Sequence, residues 1–289
     1  VQAVGQEKKG LRAKKMIKSP SPILVDREFL NITEAFAISA DVFPHISTVH
    51  KFGAVTLGGT ALTPVCQGGF YRTPQVGATV ELCCWSDDAD DTAAGAGARE
   101  VTIQYLDSTG YEKTATIATN GTSESSETVT DVWRLYRAWV SKSGTYATQS
   151  AASQQGSITI AVTDGSKTGE VWAQIPEIGT SGIAVGQSLI GMYTVPRGKT
   201  AYITSSTIAV DSNKSVDVYF FARSNIDETA APYSGTMRLK NLYTGVSGVV
   251  EINHKTFEKY NELTDIGFFA VGALNDDVSV EFELYLVEN

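Results

Sequence analysis

A period of two runs through this 289-residue chain, and no helical period competes with it. The cleanest case is Val278-Ser279-Val280-Glu281-Phe282-Glu283-Leu284-Tyr285-Leu286, where apolar and polar residues trade places almost without error. Successive side chains of a strand point to opposite faces, so such a run has one buried face and one wet face. A second case, 98–122, adds turn chemistry. Val101, Ile103 and Tyr105 alternate, Asp107-Ser108-Thr109-Gly110 follows, and Tyr111, Lys113, Ala115 and Ile117 resume the alternation. Asp can bond the backbone two residues on, and Gly takes positive φ at no steric cost, so this reads as strand, tight turn, strand. Asn120-Gly121 is a strong hairpin-turn dipeptide and is expected to reverse the chain again.

Short strands separated by Gly, Asp, Ser and Asn clusters predict an all-β chain. Its expected form is two β-sandwich or jelly-roll-like modules behind an extended basic N-terminal arm. Residues 1–42 are the arm and an extended segment. The basic part ends in Ser19-Pro20-Ser21-Pro22, which blocks a continuing helix. One or two helical turns are expected at 31–36, with Asn31 as N-cap. Residues 43–163 form a first β module, with strands at 45–57, 68–71, 79–85, 101–106, 113–117, 129–141 and 157–162. Residues 164–186, rich in Gly, read as a linker, with a short strand at 171–173. Residues 187–289 form a C-terminal β-sandwich module, with strands at 188–195, 200–210, 215–224, 236–243, 248–255, 265–271 and 278–287. The run 132–140 carries large side chains on both faces. That predicts cover by core on one side and by a neighbouring subunit on the other, or Trp133 or Trp139 packed under a loop.

Charge sharpens the division. Residues 1–18 hold Lys8, Lys9, Arg12, Lys14, Lys15 and Lys18 against Glu7, a local +5, so the rest carries −14 of a net −9. An acidic body with a basic arm suits an arm that docks on an acidic partner, protein or nucleic acid, or one that is simply solvated. The basic N-terminus has no following apolar core and does not read as a secretory signal. No apolar run approaches the roughly 18 residues of a membrane span, so no membrane partner is expected. Cys66, Cys83 and Cys84 are odd in number, and the adjacent pair would face opposite ways in a strand, so buried free thiols are expected.

Reactive groups are scarce. Gly198-Lys199-Thr200 resembles the end of a phosphate loop, but Tyr193 stands where that loop needs Gly and a strand follows where it needs a helix. The three histidines, His45, His50 and His254, make no zinc or triad motif. The candidate cation loop is Asp87, Asp88, Asp90 and Asp91, because hard cations take several carboxylate oxygens on a loop. It lacks the EF-hand pattern, and a solvated acidic loop is the favoured reading. No metal centre, cofactor or catalytic residue is expected. Tyr136, Trp139, Tyr219, Phe220, Phe221, Tyr243 and Tyr260 are candidates for stacking on sugars where exposed, and for core or interface otherwise.

Two sets of stretches resemble a known family: GAREVTIQYLDSTGYEKTATIATNGT with VWRLYRAWV, and IGMYTVPRGKTAYITSSTIAV with SVDVYFFAR and VSVEFELYLVEN. They are similar to virion structural proteins of tailed bacteriophages, of marine and cyanophage type, and cover most of 95–289. The resemblance implies a non-enzymatic particle component, present in many symmetry-related copies and assembled in the host bacterial cytoplasm. The expected role is a head-decoration or head/tail-surface protein, or an adaptor that carries fibres. Expected partners are other virion proteins and further copies of the chain, a trimer being favoured, with the six basic residues of 8–18 as anchor. Two alternatives stand beside it. One is a receptor- or carbohydrate-binding tail or fibre protein using Tyr219–Phe221 or Tyr243. The other is a capsid subunit whose arm binds nucleic acid in a salt-dependent way.

Overall fold

In the computed structural model the described residues are 34–74, 78–145, 153–178 and 183–289. The proposed anchor (Lys8, Lys9, Arg12, Lys14, Lys15, Lys18) and Asn31 lie outside them. A short helix, α1 (Glu34–Ser39), precedes β1 (Ile46–Thr56) and β2 (Thr63–Pro64). The chain then runs through β3 (Val80–Ser86), β4 (Ala98–Leu106), β5 (Glu112–Ala118), β6 (Val129–Val132), β7 (Arg134–Ser143), β8 (Ile158–Val162) and β9 (Val171–Ile175). The two-residue strands β10 (Glu177–Ile178) and β11 (Ile183–Ala184) pair with each other. Then come β12 (Met192–Thr194), β13 (Lys199–Val210), β14 (Val216–Arg223), β15 (Arg238–Val246), β16 (Gly248–Tyr260), β17 (Asp265–Val271) and β18 (Asp277–Glu288).

The fold is all-β, in two sandwiches. The first packs the sheet β6-β3-β8-β9 against β5-β4-β7, and the second packs β1-β18-β13-β16 against β12-β17-β14-β15, with β2 added beside β17. The expected alternation holds on the central strands. In β14 every second residue is buried, and β18 buries Val278, Val280, Phe282, Leu284 and Leu286. Each such fully buried aliphatic or aromatic side chain contributes about 1.5–3 kcal/mol of transfer free energy. The first core gathers Leu82, Val101, Ile103, Ile117, Ile158, Ile160 and Trp172, and the second Ile203, Ile208, Val218, Phe220, Phe268 and Phe282.

The turn of the 98–122 hairpin forms as its residues require. Asp107 Oδ1 accepts from the backbone N–H of Thr109 at 2.9 Å and of Tyr111 at 3.1 Å, and Gly110 has φ +83°. β4 and β5 pair in antiparallel register, with Val101 opposite Ile117. Asn120-Gly121 does not close a hairpin. Gly121 does adopt φ +60°, but the strands on either side, β5 and β6, lie in different sheets, so the dipeptide turns a corner between them.

Four further expectations differ from the structure. The strand at 45–57, placed in the first module, pairs along its whole length with β18, Ile46 opposite Val287 and Thr56 opposite Asp277. Residues 171–175, placed in the linker, form β9 and pair with β8. Residues 67–69 form a 3-10 turn instead of opening a strand, with Gly68 and Gly69 both at positive φ. The run 129–141 breaks at Trp133, after Asp131 at φ 62°, and its two halves join different sheets.

That break brings the two sandwiches together. Leu135 points into the first core and Tyr136 into the second, which also takes Trp133 and Leu106. Both faces of this run are therefore covered within the chain itself. The seam is fastened by a buried charge pair. Arg134 Nε and Nη2 each lie 3.2 Å from one carboxylate oxygen of Asp265 on β17. Thr194 donates to Asp265 Oδ1 at 2.6 Å, and Arg134 Nη1 donates to the Pro74 carbonyl at 2.6 Å. A pair this fully hydrogen-bonded offsets much of its desolvation, and removing one partner alone would strand a buried charge.

Candidate functional site

The second sandwich has one covered edge and one open edge. On the covered side, Arg137 of β7 donates to the His50 carbonyl of β1 at 2.7 Å, and Ser188 donates its N–H to the Ala138 carbonyl at 2.7 Å. On the other side, β15 pairs only with β14 and β16 only with β13 among the described strands. An unpaired edge presents a row of backbone donors and acceptors to any neighbour.

The outer face beside that edge is apolar. Register places Leu242 opposite Tyr219, and Leu239 opposite Phe221, across a bulge at Lys240. Cross-strand partners share a face, so these four side chains form one strip. Tyr219 and Phe221 stack at 6.2 Å with rings 19° apart, and Phe221 meets Phe269 edge-on at 5.4 Å. Leu239 is 48% exposed, Leu242 47% and Met237 46%. Polar groups bound the strip on β14: Asp217 accepts from Gly245 N–H at 2.8 Å, and Arg223 donates to the Gly235 carbonyl at 3.2 Å. An apolar centre with a polar margin is the anatomy of a protein–protein interface.

The other aromatics named from the sequence scatter. Tyr136, Phe220 and Tyr260 are buried, and Tyr243 and Trp139 are half-buried. Alternation separates Phe220 from Tyr219 and Phe221, so only the latter two face outward. The sequence did not single out Leu239 and Leu242. Their signal was an apolar residue on a strand whose other neighbours are polar or charged.

In the acidic loop Asp91 spends its carboxylate within the chain. Asp91 is fully buried and accepts from Ser86 Oγ at 2.5 Å, Ala98 N–H at 2.6 Å, Gln155 N–H at 2.9 Å and Gly156 N–H at 3.0 Å. Four donors occupy its lone pairs. Asp88 Oδ1 accepts from Asp90 N–H at 2.8 Å, in a local turn. Among the described residues no three His, Cys, Asp or Glu side chains gather as a metal set. Cys66, Cys83 and Cys84 are free and buried, and burial pushes each thiol up to about 12. Among the described residues no helix is long and apolar enough to cross a membrane.

No protein-family model matches the chain, and no curated protein matches it significantly. Among solved structures, infectious bursal disease virus, Gx strain, aligns with 84% of this chain and 72% of its own at 11% identity and a TM-score of 0.23. The VP2 subviral particle of the same virus aligns over the same shares at 10% identity and a TM-score of 0.18. The cysteine protease and lectin-like domains of Cwp84, a surface layer associated protein of Clostridium difficile, align with 66% of this chain and 48% of theirs, at 10% identity and a TM-score of 0.16. Superpositions this loose carry no functional argument.

Proposed function

We propose that this chain is a non-enzymatic structural protein of a virus particle, of the tailed-bacteriophage type its sequence resembles, and serves there as a head-decoration or head/tail-surface protein. It assembles in symmetric copies through the outer face of β14 and β15. The observation that carries this reading is the Leu239–Leu242–Tyr219–Phe221 strip beside an unpaired edge. A monomer would leave both the strip and the edge exposed to aggregation, whereas a closed ring of copies covers them. The all-β scaffold, and an acidic loop spent on its own backbone, support a geometric role over a chemical one.

Sedimentation velocity tests it. The full chain should sediment as a closed oligomer, a trimer by expectation. A Leu239→Lys, Leu242→Lys double variant should shift to monomer while still unfolding cooperatively, since both side chains are half-exposed, with its midpoint lowered only by the lost association. A wild-type chain that stays monomeric into the tens of micromolar, well above what an obligate interface requires, would sink the proposal. The stacked pair Tyr219 and Phe221 also has the geometry of a sugar platform. A glycan array separates the two readings, because binding lost in Tyr219→Ala with assembly intact would favour a carbohydrate-binding role.

A further inference from the structure

Where β1 of the second sandwich faces the β5-β4-β7 sheet of the first, the seam opens into a cleft of about 440 Å³. Its lining includes three cationic side chains, Lys51, Arg137 and Lys199, and one carboxylate, Glu112. This is the reverse of the acidic body around it. Lys51 is 3% exposed, and its Nζ donates to the Tyr136 carbonyl. No carboxylate pairs with it among the described residues. Glu112 acts on it only at a distance, with Oε1 already taken by Gln104 Nε2 at 2.6 Å. Arg137 spends one donor on the His50 carbonyl, and Lys199 reaches Glu288 at a loose 3.7 Å. Beside Lys51, Tyr136 and Tyr193 meet edge to face at 5.2 Å; the buried Tyr193 hydroxyl has no hydrogen-bond partner among the described residues, and the Tyr136 hydroxyl has none in good geometry there, with Glu112 as its neighbouring carboxylate.

Buried charges in folded proteins are paired, and buried hydroxyls are bonded. Here an ammonium, a guanidinium and two phenols stand together, and the lining offers them Glu112 alone, with one carboxylate oxygen already bonded to Gln104. The basic stretch 8–18 has the wrong sign to supply a further anion. Burial and the neighbouring Arg137 bring Lys51 down to about 7, so the site already resists a second positive charge and would accept a negative one.

We propose that this cleft is a binding site for a small carboxylate ligand, an acidic sugar or an organic acid, held by Lys51 and Arg137 with Tyr193 and Tyr136 as hydroxyl donors. Charge-assisted bonds from lysine and arginine to a carboxylate supply the affinity. The cavity is large enough for one sugar ring, and Glu112 at its side can accept from a ligand hydroxyl.

Calorimetric titration of the full chain tests this with four probes: glucuronate, acetate, glucose and inorganic phosphate. Glucuronate and acetate should bind, and glucose should not. A marked preference for glucuronate assigns the sugar source, and equal affinity assigns a simple acid. Lys51→Met, which keeps the apolar stem and drops the ammonium, and Arg137→Gln should each weaken glucuronate by about tenfold or more, as loss of a charge-assisted bond requires. At pH 8 binding should take up a proton, read as a dependence of the heat on buffer ionisation, because the anion re-protonates Lys51. If Lys51→Met fails to fold, Arg137→Gln and the proton uptake carry the test. No binding of either carboxylate, phosphate binding as tightly as they do, or affinity unchanged in both variants overturns the proposal.

Discussion

Lys51 shows how much a single position can depend on cover supplied from another module. It lies on β1, yet its environment comes from β7 and β12: burial there lowers its pKa most, Arg137 lowers it further, and Cys66 and Glu112 oppose. Tyr136 and Tyr193, both raised well above the usual phenol range by burial, stay neutral beside it. The folded pKa of about 7 lies below the 10.5 of the unfolded chain. Between those values the unfolded chain holds a proton that the folded one has lost, so stability rises with pH across that window. Below about 7 the cost of the buried charge is fully present. Relative to Lys51→Met, the wild type should gain about 2 kcal/mol between pH 7 and 9. Urea unfolding of both proteins at several pH values measures this, and parallel curves would mean that Lys51 never loses its proton. Asp91 is the converse residue. Its sequence neighbours favour a solvated acidic loop, yet Asp91 is buried and its four donors come from Ser86, Ala98, Gln155 and Gly156. Two of those lie more than sixty residues away in the chain, beyond any local pattern.

Among elements, β1 was legible as a strand and illegible as to its place. Alternation says which residues face inward and nothing about which strand lies alongside. Its partner β18 is at the other end of the chain, and α1 and β1 precede the whole first sandwich in sequence. The run 129–141 is legible as extended chain and not as two strands: large side chains on both faces mean two cores in one chain, with Trp133 bonded to the Pro74 carbonyl, and periodicity cannot distinguish these from a core and a subunit. The outward turn of Tyr219 and Phe221 needs only the period of two, whereas the exposure of β15 beside them needs the knowledge that no described strand lies beyond it in the sheet. The clearest constraint on β1 is Gly53. A Cβ there would sit 2.1 Å from Gly191 N and 2.2 Å from the Val65 carbonyl oxygen, both backbone atoms. Gly53→Ala should therefore cost about 3 kcal/mol or more by forcing β1 away from the 190–192 segment, at the upper end of overpacking penalties. Gly58→Ala, where nothing lies within 4 Å, is the control and should be near neutral. Thermal unfolding of the two variants measures the difference. Equal stability would mean the strands do not approach this closely in solution.

At the scale of the whole molecule, function on our reading divides between two ends of the charge distribution. The body carries −14 and presents an apolar strip on β14 and β15, while residues 1–18 carry +5. A strip recognises by shape and burial, and the basic segment by long-range charge, so the two should fail independently. Deleting residues 1–22 should leave the unfolding temperature and the oligomeric state unchanged. It should abolish incorporation into particles if those residues anchor the protein on an acidic neighbour. The Leu239→Lys, Leu242→Lys variant should do the reverse, losing self-association while keeping its charge-driven contact. Raising salt discriminates further, because exposed charges are screened within roughly 8 Å at physiological ionic strength and apolar burial is not. Capture of the full chain by partner particles should therefore weaken with added salt, while the sedimentation coefficient of the isolated protein holds. A truncated chain that enters particles normally removes the anchor. Retardation of nucleic acid by the full chain at low salt, lost on deletion of 1–22, would reassign the same basic segment to a packaged genome.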